Sequence, residues 1–212
     1  MKLFTLLTAF LLVAFAVQAQ PRFFPQYFQV TGVASDDTLN VRAAPDAGSA
    51  DIGDLPHDAT GVEVHGTDAS GQWGQIIWQE GMGWISMRFL APFQPATVTG
   101  TALPAGLSCG GTEPFWSLNL SQGSAVYSDM GGASHAMNIA GARVANGMLN
   151  FPVMLNLSGA SAGSIAIIQP GLCGDGMSDR DYPYLLSLIL DSGGSRQFMA
   201  GCCNLPLEAG SH

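Results

Sequence analysis

From residue 27 onward the chain sustains no helical period for more than about a turn, and this excludes most folds at once. Glycine, proline, aspartate and serine interrupt it roughly every 6 to 15 residues. Between the breaks, apolar and polar residues alternate, as in TLNVRA, GVEVHG and WGQIIW. The best helical candidate in the second half is LSLIL, only five residues long. Short alternating segments separated by turn chemistry read as antiparallel strands, so the expected class is all-β. No fixed-period repeat is present, which removes solenoids and propellers.

The first nineteen residues, MKLFTLLTAFLLVAFAVQA, join Lys2 to an apolar run from Leu3 to Val17 and end in small residues at Val17 and Ala19. This is the pattern of a cleavable signal peptide, with cleavage expected between Ala19 and Gln20. The competing reading is a membrane anchor. A span needs about 20 apolar residues, the run is shorter, and its small-x-small end favours cutting, so no stable membrane insertion is expected after cleavage. The implied compartment is the periplasm or the exterior.

Charge and cysteines narrow the partners. Lys2 is the only lysine, and beyond it six arginines face sixteen acids. So acidic a chain repels phosphate backbones and anionic headgroups, and nucleic acid is not an expected partner. Cys109, Cys173, Cys202 and Cys203 make an even set, which in an exported chain reads first as two disulfides. Of the three possible pairings, one joins the adjacent Cys202 and Cys203 through a strained local geometry. The expectation separates them, with Cys109 tied to one of the pair and Cys173 to the other.

After a short proline-containing lead at 20–26, residues 27–92 carry many brief strands, enough for one small barrel. The runs LNVRAAPDAGS and IGDLPHDATGVEV, the strand WGQIIW and the closing GMGWISMRFL resemble the bacterial SH3 (SH3b) family over nearly the whole segment. The matching positions are Asn40, Val41, Arg42, Pro45, Gly83, Trp84 and Leu90. The resemblance implies an SH3-like barrel, and in some members a cell-wall peptide ligand. Arg42 has the fork geometry to grip a peptide carboxylate, although any of nine neighbouring acids in this segment offers an internal partner. Trp73, Trp78 and Trp84 pose the same choice between core and platform. Trp73 and Trp78 lie five apart in one strand and so fall on opposite faces, one to the core and one outward.

The stretch APFQPATVTGTALPAGLS has three prolines and no alternation, and 93–108 reads as a linker. From 109 to 206 the strand-like runs FWSLNL, SAVYSD, HAMNIA, GMLNFPVML, GSIAIIQP, YPYLLSLIL and RQFMAGCC predict a second antiparallel β-barrel or sandwich, stapled by disulfides, with a tail at 207–212. The motifs CGGTEPFWSL, CGDGMSDRDYPY and GCC resemble a family of exported or membrane-anchored bacterial proteins grouped with the META/heat-shock lipoprotein-like barrels. The chain departs from that family in lacking a lipid-anchor cysteine and in carrying the preceding module.

Catalytic chemistry finds little footing in these motifs. A cysteine nucleophile needs a nearby histidine, and the second half offers only His135 in mid-chain. Zinc needs close cysteine pairs, and a thiol oxidoreductase needs C-x-x-C at a helix start; neither occurs. Asp175, Asp179, Arg180 and Asp181 crowd one loop, but their spacing is not that of a calcium loop, so a turn cap with Arg180 paired to an acid is expected. Glu113, beside Pro114 and Trp116, is expected to be partly buried, either as a general acid or in a salt bridge to Arg180 or Arg196. No metal and no cofactor are expected.

These residues predict a non-enzymatic exported binding protein of the cell envelope, its SH3b module recognising peptidoglycan peptides or an envelope protein. The alternatives are an envelope hydrolase targeted by SH3b, and a stress or inhibitor protein whose second barrel binds a partner. The tentative ligand residues are Arg42, Trp78, Trp84, Glu113, Trp116, Asp175, Asp179 and Arg180.

Overall fold

A computed structural model describes residues 25–159 and 163–207. The signal peptide and its cleavage site lie outside them. Strands account for nearly all the regular structure, and the described residues contain no α-helix, only a short 3-10 turn at Met87–Phe89.

The N-terminal strands are β1 (Gln26–Val30), β2 (Thr38–Arg42), β3 (Asp51–Pro56), β4 (Val62–Val64), β5 (Gly66–Thr67), β6 (Trp73–Trp78), β7 (Gly81–Ser86) and β8 (Leu90–Pro92). They form a three-stranded sheet in the order β4-β1-β8 and a five-stranded sheet in the order β3-β2-β7-β6-β5. The period of two turns Phe28 and Val30, Leu39 and Val41, Val62 and Val64, and Ile76 and Ile85 into one shared core. The brief strands, expected to make one small barrel, thus lie as two small sheets around a single core.

The second half closes completely. The strands β9 (Ser108–Thr112), β10 (Phe115–Leu120), β11 (Ser124–Asp129), β12 (Ser134–Val144), β13 (Val153–Gly159), β14 (Ser164–Cys173), β15 (Tyr182–Ser192) and β16 (Ser195–Asn204) pair antiparallel in sequence. The short β9 bonds both β10 and β16 and shuts the ring. Of the two expected architectures the structure is therefore the barrel, which leaves no strand edge unpaired. Inward positions alternate along each strand: Trp116, Leu118 and Leu120 on β10, Val153, Leu155 and Leu157 on β13, and Tyr184, Leu186, Leu188 and Leu190 on β15.

Two segments differ from their sequence reading. GMLNFPVML becomes a strand only at Val153, because Pro152 has no N–H to give a ladder; Gly147 to Pro152 form a loop instead. The stretch 93–108, read as a linker, sends Val98, Leu103 and Leu107 fully buried into the barrel core. It folds back through a Thr97–Pro104 bridge and a hydrogen bond from the Gly106 N–H to the Leu120 carbonyl, plugging the barrel end beside the β10–β11 turn.

The two adjacent cysteines of β16 point to opposite sides of the strand, and each makes a different staple. Cys203 faces the core and bonds Cys109, its register partner on β9. Cys202 bonds Cys173, which arrives from β14 past a register shift. Both cysteines of the pair are separated as the sequence predicts, and no described cysteine is free. Two disulfides are compatible with an oxidising, exported location.

Candidate functional site

The motif glycines serve packing. A Cβ on Gly111 would sit 2.4 Å from the Trp116 indole nitrogen, and one on Gly201 would sit 2.3 Å from the Gly110 carbonyl oxygen. These glycines clear the space in which the Trp116 ring lies against β9 and β16 at the barrel wall. Trp116 then stacks on Tyr127 at 6.2 Å between ring centroids, and Tyr127 stacks on His135 at 5.9 Å. Trp116 is thus a core residue, only 6% exposed. Glu113 is exposed in the β9–β10 turn, contrary to the partial burial expected of it. Both proposed partners are engaged elsewhere, Arg180 with Glu80 and Arg196 with Asp191.

In the N-terminal half, the Arg42 guanidinium donates to the Ser49 carbonyl at 3.1 Å and lies 3.7 Å from Asp51, the internal acid pairing foreseen as its alternative. Trp78 shares the inward face of β6 with Ile76, packs on the core and donates its indole N–H to the Ile52 carbonyl at 3.0 Å. Trp84 lies half-buried on β7, opposite Gln75 and Arg42.

The acidic loop before β15 is organised by Asp175. Its carboxylate accepts the backbone N–H groups of Met177 and Ser178, the Ser178 hydroxyl at 2.9 Å and the Tyr182 hydroxyl at 3.2 Å. Those donors, the Ser178 backbone N–H foremost, hold its pKa down to about 2 against the opposing effect of burial. Asp179 contributes its backbone, donating to the Glu80 carbonyl at 3.0 Å. Arg180 crosses to the N-terminal half, bonding the Gln79 carbonyl and the Glu80 carboxylate while also donating to the Tyr182 hydroxyl at 3.3 Å. That phenol contact, with the charges of Glu80 and Asp175, raises the guanidinium further above its ordinary value.

Sequence reasoning missed the other half of this junction. Period-two spacing puts Glu63 and His65 on one face, and the alternation of GVEVH was the available signal. Both are buried. The Glu63 carboxylate accepts from the Tyr27 hydroxyl at 3.0 Å, from the Leu205 N–H at 3.2 Å, and from His65 Nε2 at 3.3 Å. Tyr27 in turn lies 2.7 Å from the Tyr184 hydroxyl of the barrel. Burial, and then the Glu63 charge, push the Tyr27 phenol far upward, and burial does the same to Tyr184. His65 Nδ1 is the one buried side-chain polar atom among the described residues without a hydrogen-bond partner.

These contacts border a groove. One part, about 410 Å³, is lined by Glu63, His65, Trp78, Arg180, Tyr182 and Leu205, among others. The other part, about 240 Å³, is lined by Gly111, Thr112, Asp175, Arg180, Tyr182 and Cys202, among others. Ser108, Arg180, Tyr182 and Asn204 line both, so the two parts meet at Arg180 and Tyr182. Of the tentative ligand residues, Trp78, Asp175 and Arg180 come together here. Arg42, Trp84, Glu113, Trp116 and Asp179 do not line this groove. Comparison with known proteins finds no matching family model, curated protein or solved structure. The groove is lined by the Arg180 guanidinium, the Tyr182 phenol, the Ser108 hydroxyl, the carboxylates of Glu63 and Asp175 and the Trp78 side chain; among the described residues no cluster of His, Cys, Asp and Glu is placed to hold a metal.

Proposed function

We propose that this chain is an exported, non-enzymatic binding protein of the cell envelope, acting in the periplasm or outside the cell, and that the junction groove takes a cell-wall peptide or an extended protein segment. In this reading the N-terminal strands are a bacterial SH3 module that supplies the Trp78 side of the groove. The observation that carries it is Arg180. It lines both parts of the groove and uses three of its five N–H donors on Gln79, Glu80 and Tyr182, which leaves two for a ligand carboxylate. Wall peptides are short, extended and rich in carboxylates, and a carboxylate is the partner the two remaining Arg180 donors suit.

The test is retention of the full-length exported protein on purified sacculi at low salt. Retention is expected, and Arg180→Ala should weaken it by roughly tenfold, the effect of losing one charge-assisted hydrogen bond. A protein that does not sediment with sacculi removes the wall-binding reading. One observation speaks for the hydrolase alternative: the Ser192 hydroxyl lies 3.3 Å from His135 Nε2 at the barrel rim. No described carboxylate orients that imidazole, so sacculus turbidity is expected to stay flat on incubation with the protein, and clearing would reverse the assignment.

A further inference from the structure

We propose that a second cleft, separated from the junction groove by the Tyr27–Glu63 contact, binds an amphiphilic small molecule whose apolar body ends in a hydrogen-bond donor, a hydroxyl or an ammonium, and discriminates against the matching carboxylate. The cleft holds about 780 Å³ between the start of the described chain and the barrel mouth. That volume is within the roughly 300 to 1,000 Å³ usual for small-molecule sites. Pro25, Met148, Leu149, Phe151, Pro152 and Pro170 supply an apolar wall, and the phenols of Tyr27 and Tyr184 supply its buried polar end. Leu149 is 95% exposed and Met148 57%, an apolar pair left in water on a loop that adjoins Phe151.

The headgroup preference follows from proton order. An ionised carboxylate only accepts, so the Tyr27 hydroxyl gives its proton to Glu63. The 2.7 Å Tyr27–Tyr184 contact must then take its proton from Tyr184. The Tyr184 oxygen is left with lone pairs and no proton to offer, so a group reaching it must donate. Among the described residues no cationic side chain lines the cleft, and the charge bonded to the phenol pair is the Glu63 carboxylate. Burial pushes both phenols above their ordinary range, so each keeps the proton it donates in this chain. An anionic head would meet an acceptor and a buried negative charge; a hydroxyl meets its complement, and an ammonium also gains the attraction of Glu63. Asn150 and Gln169 at the rim are exposed amides that serve either kind of head.

Calorimetric titration of the full-length exported protein with decan-1-ol below its solubility limit, and with decylammonium and decanoate below their micelle concentrations, all at neutral pH, tests this. Binding of a donor head is expected, with decanoate weaker by at least about tenfold; whichever donor binds identifies the headgroup. Leu149→Asp, at a solvent-exposed position, should lower that affinity by at least about tenfold while leaving the melting temperature and retention on sacculi unchanged. Tyr184→Phe should erase most of the discrimination against decanoate. Equal affinity for decanoate, no binding of either donor head, or an affinity insensitive to Leu149→Asp would each overturn the proposal, and none of these bears on the junction groove.

Discussion

At the scale of single residues, the motif that most resembles a reactive site, CGGTEPFW, is a packing device. Cys109 is a staple, Gly111 lets β9 lie close to the Trp116 ring, and Glu113 is exposed to water. A cysteine, an acid and a tryptophan in ten positions carry no local mark that separates these roles, because the atoms that decide them belong to β16. Gly201→Ala tests the fit. Its methyl would face the Gly110 carbonyl at 2.3 Å, a backbone atom that cannot swing away without loosening the β9–β16 pairing. A loss of about 1 to 3 kcal/mol in urea unfolding is expected; an unchanged midpoint would show that the strands have slack. Asp175 gives a pH signature. Its folded-state pKa is depressed from 3.8 to about 2, so its contribution to stability is complete above pH 4 and disappears as pH falls toward 2. Asp175→Asn should therefore unfold at lower urea than the parent at neutral pH, with the gap closing in acid. A gap that stays constant down to pH 2 would contradict the hydrogen-bonded turn.

At the scale of elements, alternation was legible wherever a strand has one wet face. WGQIIW, FWSLNL and YPYLLSLIL all became strands with alternate residues turned inward. The stretch 93–108 was opaque for a physical reason. Val98, Leu103 and Leu107 are five and four residues apart, a spacing that belongs to neither a strand nor a helix, and prolines and glycines surround them. They are buried because an open barrel end must be filled, a demand that exists only once the barrel has closed. Leu103→Ala should cost about 2 to 5 kcal/mol, the range for a fully buried leucine. A free spacer would lose almost nothing, so calorimetric melting separates the two pictures.

At the scale of the molecule, two disulfides staple the barrel and one polar junction ties it to the N-terminal sheets. The oxidised protein should be four protons lighter than its reduced form by mass measurement, and four free thiols would refute the pairing. Cys109–Cys203 closes 94 residues and Cys173–Cys202 closes 29, so chain entropy makes removal of the first more costly by about 1 kcal/mol. Denaturant midpoints of the two double-alanine variants measure this, and the reverse order would point to effects beyond loop closure. The sequence by itself determined the all-β class, the even cysteine count and the separation of Cys202 from Cys203, because each depends on residues close together in the chain. Only the folded chain settled which cysteines pair, that the second half is a barrel and not a sandwich, and where its clefts lie. Tyr27 meets Tyr184 across 157 residues, Glu63 meets Leu205 across 142, and Glu80 meets Arg180 across 100. No local pattern encodes contacts at that range; they form when the N-terminal sheets meet the closed barrel and the polar groups at their junction find partners across it.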